Sequence, residues 1–182
     1  MPSKETMVIY ARSIAANYTG IQPNGSFPSW ETLKNIYDEA MEEPPDWNIH
    51  NGANLTALKQ GRWMRKDGIP GGTNDPKLGV SWCGIFATYV LRGSGIPVKW
   101  RAFVGITPRP PYFQELFGFG NWDSINRGDI CIRDANNHHF IVYDRKGDSL
   151  YSYDGNLTGQ KVGEPNFPTP VSRVNKIYRP LF

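Results

Sequence analysis

The chain has 182 residues, 39% hydrophobic and 20% charged, with a formal net charge of +3. That is the composition of a soluble globular protein with material for one sizeable core, and no Lys/Arg cluster is dense enough for a nucleic-acid footprint. No stretch approaches the ~18 apolar residues of a membrane span.

In chain order, the pattern predicts helices over residues 7–17 and 29–42, the second opening at Ser29 as N-cap and stopped by Pro44-Pro45. Residues 46–80 are mixed, with a short helix expected over 53–66 and a Gly/Pro-rich loop over 68–76. The run Trp82-Cys83-Gly84-Ile85-Phe86-Ala87-Thr88-Tyr89-Val90-Leu91 carries apolar residues at 86, 87, 90 and 91, the spacing of a helix with one buried face. Gly93-Ser94-Gly95 ends it. Residues 103–128 read as a long loop or short insertion. Its aromatics Phe113, Phe117, Phe119 and Trp122 are candidates either for the wall of a cleft or for packing over a sheet. Beyond Gly128 the pattern turns extended, with apolar runs at 130–132, 140–143, 150–153 and 176–178 and a hairpin turn at Lys146-Gly147-Asp148. Helices first and an antiparallel sheet second predict an α+β fold in one domain, residues 1–182, with a helical part over 1–77 and a core with the sheet over 78–182.

Cys83 falls in the first turn of its helix, where unpaired amides and the helix dipole favour a thiolate. The alternative is a buried, inert cysteine. Cys131 lies in an apolar strand, where burial as a thiol is expected. Two thiols without a disulfide framework fit synthesis in a reducing compartment. The start of the chain lacks the basic cap and apolar run of a secretory signal, so cytoplasmic synthesis is expected.

A cysteine nucleophile needs a base, and the base needs a partner. His50 sits in a polar loop and reads as solvated, whereas His138 and His139 open the strand at 140–143. If that strand pairs with 150–153, Asp154 or Asn156 returns to the level of the histidines and can fix an imidazole tautomer. Neighbouring strand residues face opposite ways, so only one histidine is expected to point at Cys83.

In this order the residues resemble papain-like cysteine hydrolases of the CHAP kind and the related NlpC-type cell-wall peptidases. The resemblance spans residues 78–160 and rests on Cys83 with Phe86, on Gly128-Asp129-Ile130, on the His-bearing strand, and on Asp154-Gly155-Asn156. It implies a papain-like fold, with the nucleophile helix packed on a C-terminal antiparallel sheet. It also implies Cys83 as nucleophile, His138 (or alternatively His139) as base, and Asp154 and Asn156 as orienting groups. The chain departs from the pattern at Trp82, where relatives place Gln or Asp, and has no clear counterpart of the papain-like oxyanion Gln. The Cys83 amide can supply one oxyanion donor.

The expected activity is that of a cysteine amidohydrolase or peptidase. The family associates it with peptidoglycan or a peptide substrate, as in wall-degrading effectors and lysins, which reach the wall without a signal peptide and can have an immunity or inhibitor protein as partner. The alternatives are a toxin-like protease or deamidase acting on a host protein, and a non-catalytic binding module. No cofactor or metal is implied: no Cys/His cluster completes a zinc set, and no glycine-rich phosphate loop is present.

Overall fold

Three helices precede a long antiparallel sheet in the computed structural model, which describes residues 2–17, 29–48, 64–65, 82–102, 104–134, 138–157 and 161–182. Helix α1 (Lys4–Asn17) begins where the Ser3 hydroxyl accepts the Thr6 amide at 3.0 Å, an N-cap bond. It buries Met7, Val8, Ala11 and Ile14, and α2 (Ser29–Ala40) buries Leu33, Ile36, Tyr37 and Ala40, both at the spacing of one helical face. Helix α3 (Trp82–Gly93) buries every residue from Trp82 to Thr88, then Val90 and Leu91. A helix apolar on all sides belongs inside, and α3 packs against α1, α2 and the sheet. It closes with the Ile96 amide on Leu91 O and the Gly95 amide on Arg92 O, Gly95 taking a φ of +89°.

The strands are β1 (Lys99–Arg101), β2 (Gly105–Thr107), β3 (Phe113–Phe117), β4 (Ile130–Arg133), β5 (His138–Lys146), β6 (Ser149–Leu157), β7 (Lys161–Gly163), β8 (Thr169–Pro170) and β9 (Val174–Pro180). β1 and β2 form a hairpin of their own; the large antiparallel sheet runs β3-β9-β4-β5-β6-β7, with β8 on β6. The predicted turn joins β5 to β6, Gly147 supplying the positive φ (57°) that a two-residue hairpin loop requires. Strand alternation splits the sheet into two faces. Ile130, Ile132, Ile141 and Tyr153 join the helices in one cluster. Cys131, Phe140, Val142 and Leu150 join Val171, Val174 and Ile177 in a second.

The α+β expectation holds, and the main differences lie in the loops. The region 103–128 contains β2, β3 and a short 3-10 turn (Trp122–Ser124) rather than one long loop. Pro108, Pro110 and Pro111 hide these short strands from a reading by alternation. Of the helix expected over 53–66, residues 53–63 and 66 lie outside the described residues, and Arg65 makes an antiparallel bridge to Pro45. No helix among the described residues is long and apolar enough to cross a membrane.

Candidate active site

Cys83 is the second residue of α3 and only 1% exposed. Two glycines let it approach the sheet. A Cβ on Gly84 would stand 2.2 Å from the Trp100 ring, and one on Gly155 would stand 2.6 Å from Phe86 Cβ. Trp100 of β1 therefore lies tight against the start of α3, and the next turn of α3 rests directly on β6.

The registered pairing of β5 with β6 stops at Phe140 opposite Asp154. Just beyond that point the His139 backbone N–H donates to Cys83 Sγ at 3.4 Å. The sulfur thus sits at the open end of the β5–β6 ladder, where it meets both histidines.

His138 Nε2 lies 2.6 Å from Asp154 Oδ2. A carboxylate can only accept, so Nε2 carries the proton and Nδ1 is left for the sulfur side. The His138 side chain also hydrogen-bonds Cys83. Asp154 is wholly buried; its Oδ1 accepts the Ser152 hydroxyl at 2.5 Å, and the Arg133 guanidinium stands 3.9 Å from Oδ2. The sequence therefore runs sulfur, imidazole, carboxylate, hydroxyl.

The electrostatics follow from these contacts. Burial raises the Cys83 pKa, but hydrogen bonds and charge from His138 and His139 outweigh it and hold the thiol well below its ordinary value. Burial also disfavours a charged His138, yet its bonds to Asp154 and Cys83 push its pKa from 6.5 up to about 9. Both shifts favour the thiolate–imidazolium pair over the neutral one. Cys131 is the contrast: buried in the second cluster beside Asp129, its thiol is pushed well above the ordinary value. Neither cysteine is in a disulfide.

No family model matches the chain, and no curated protein or solved structure matches it.

Cys83, His138 and Asp154 come together as expected. Asn156 is two residues further along β6, half-buried, with a φ of 60°; the side-chain bonds of His138 run to Asp154 and Cys83 instead. His138 meets the sulfur through its side chain and His139 through its backbone N–H. The faces alternate, Phe140 and Ile141 lying in different clusters. His139 is 8% exposed, its ring edge-on to Trp100 at 5.2 Å, and its Nδ1 has no hydrogen-bond partner among the described residues. His50 lies outside the described residues.

Sequence reasoning missed Ser152, Arg133 and Trp100. Ser152 was findable, since it stands two residues before Asp154 on the same strand face. Arg133 and Trp100 reach the site through pairing and packing that carry no local signal. The aromatics Phe117, Phe119 and Trp122 belong with β3, three places from β5 in the sheet order, so they form no wall for this site. A depression of about 620 Å³ lined by Asn126, Arg127, Tyr143 and Arg145 lies at the other end of β5. Its guanidinium groups are engaged, Arg127 with Glu5 and Arg145 with the carbonyls of Trp122 and Gly147. Among the described residues, no group of three or more His, Cys, Asp or Glu is placed to hold a metal ion.

Proposed function

We propose that the protein is a cysteine hydrolase of the papain-like kind, cleaving amide bonds, with the peptides of bacterial peptidoglycan as the substrate class. The observation that carries this reading is the line Cys83–His138–Asp154, with its lowered thiol and raised imidazole pKa values. Paired shifts of opposite sense mark acid–base assignments.

The chemistry uses the pair as it stands. The Cys83 thiolate attacks the amide carbonyl carbon, forming a C–S bond and moving the π pair to oxygen. The oxyanion collapses, the C–N bond breaks, and the His138 imidazolium protonates the departing amine from Nδ1. Water then adds to the thioester with His138 as base, the C–S bond breaks, and the acid product leaves with the thiolate restored. Asp154 holds the ring and offsets its charge throughout.

The test is mass spectrometry of peptidoglycan digested with the protein, with intact protein substrates run in parallel. New amine and carboxyl ends are expected from the parent chain and none from Cys83→Ala; equal cleavage by the Ala variant ends the thiol mechanism. Cleavage of protein substrates alone favours a toxin-like protease, and release of ammonia a deamidase. The near-complete burial of Cys83 favours a second reading, a non-catalytic binding module. Iodoacetamide decides it: a thiol that stays unreactive at neutral pH supports the binding module.

A further inference from the structure

Attack by a thiolate on a carbonyl puts negative charge on oxygen, and catalysis requires a preorganised donor facing it. Among the described residues the one glutamine, Gln114, lies on β3 away from the site, so a donor is wanted from another element.

Tyr37 has the features of that donor. It is wholly buried on α2, and its hydroxyl has no hydrogen-bond partner among the described residues. Its ring is held edge-on by Trp47 at 5.7 Å, and Trp47 Nε1 is itself anchored on Asp38 Oδ1 at 2.8 Å. The end of α2 is tied to the start of α3. Met41 bridges Trp100, the Glu42 amide donates to Trp100 O at 2.9 Å, and Trp100 covers Gly84. Helix α2 packs on α3, and Tyr37 shares one buried cluster with Trp82, Ile85 and Phe86, the residues that flank Cys83; burial raises the phenol pKa above its ordinary value, and the charge of Cys83 raises it further. A buried hydroxyl without a partner is destabilising, and phenylalanine would fill the same space without that defect. Such groups call for an explanation, and one is a partner that forms only during reaction.

We propose that the Tyr37 hydroxyl donates a hydrogen bond to the oxyanion formed when Cys83 attacks a substrate carbonyl. No proton is transferred: the C–S bond forms, the π pair moves to oxygen, and the phenol keeps its hydrogen. This inference rests on the hydrolase reading above and adds a residue to it.

The experiment compares two reagents on the full chain carrying Tyr37→Phe. p-Nitrophenyl acetate acylates a thiolate through a tetrahedral oxyanion, whereas iodoacetamide alkylates it by displacing iodide and develops none. Acylation is expected to slow by about 10²-fold, the scale of losing one oxyanion donor. Alkylation is expected to stay within about twofold, with the same pH midpoint. Unchanged acylation overturns the proposal. So does an equal slowing of both reactions, which marks a role in packing or in holding the thiolate. Thermal melting checks the fold, and Tyr37→Met, apolar and adaptable, is the second variant should the contact with Trp47 prove sensitive. A parent protein that reacts with neither reagent at neutral pH overturns the hydrolase reading itself, which separates the two failures.

Discussion

At Cys83 two opposing effects meet, burial that disfavours a charged sulfur and two histidines that favour it, and the histidines win. The pH profile follows with a definite sign. Hydrolysis is expected to rise with pH as Cys83 ionises, well below the ordinary thiol range. It should fall as pH passes about 9, where His138 loses the proton it must hand to the leaving amine. Alkylation by iodoacetamide needs only the thiolate, so it should show the rise and no alkaline fall. An alkylation midpoint at about 8.5, the value of an unperturbed thiol, would contradict this account. Asp154→Asn separates the roles further. It removes the charge that holds His138 up, so the alkaline limb should move to lower pH. The same change should lower the rate by roughly 10²- to 10⁴-fold, the usual scale for misplacing an acid–base group.

Among the elements, α1 and α3 are fixed by different means. Helix α1 is anchored by Arg127-Gly128-Asp129 at the entrance to β4. Arg127 pairs with Glu5, a Cβ on Gly128 would stand 2.6 Å from Lys4 Cβ, and Asp129 meets Lys4 at 3.5 Å. Asp129 is fully buried and also takes Arg179 at 2.9 Å and the Asn126 amide at 3.0 Å. Removing one partner of a buried charge is costly, so Arg179→Met should destabilise the fold by about 3–5 kcal/mol in urea denaturation. Helix α3 is fixed by contact. Gly84→Ala would drive a methyl into the Trp100 ring, with an expected loss of about 1–3 kcal/mol. In a double-mutant cycle with Trp100→Ala that loss should largely vanish; independent, additive effects would show that the clash is elsewhere. Helix α3 and the β5–turn–β6 hairpin were legible in the sequence, the helix from its apolar spacing at residues 86, 87, 90 and 91 and the hairpin from the apolar runs at 140–143 and 150–153 on either side of Lys146-Gly147-Asp148. So was the grouping of Cys83 and His138, which stand at the starts of α3 and β5, with Asp154, which the hairpin brings opposite Phe140. β2 and β3 were not, being short and bounded by prolines. Nor was the meeting of both histidines with the sulfur. It depends on where the β5–β6 ladder stops, and that is set by pairing between strands rather than by the residues of either one.

Across the whole molecule, the order β3-β9-β4-β5-β6 separates the site from the most exposed aromatic surface. Phe117 and Phe119 are 74% and 83% exposed at the β3 end, where among the described residues β3 pairs only with β9. An exposed apolar pair beside an unpaired strand edge offers a surface for self-association, and distance in the sheet keeps it out of the chemistry at Cys83. The double variant Phe117→Ser, Phe119→Ser tests both halves of that statement. Little burial is lost, so stability should stay within about 0.5 kcal/mol, and the pH profile of Cys83 alkylation should be unchanged. Tendency to associate, read by light scattering at rising concentration, should fall. A shifted alkylation profile would mean that the β3 edge communicates with the site, and the sheet order would then need a coupling path through β9 and β4. Peptidoglycan cleavage by the same variant carries the further consequence. If substrate is held around Cys83 alone, cleavage should be indistinguishable from that of the parent chain. A large rise in KM at constant kcat would instead make the β3 aromatics a remote part of the substrate grip.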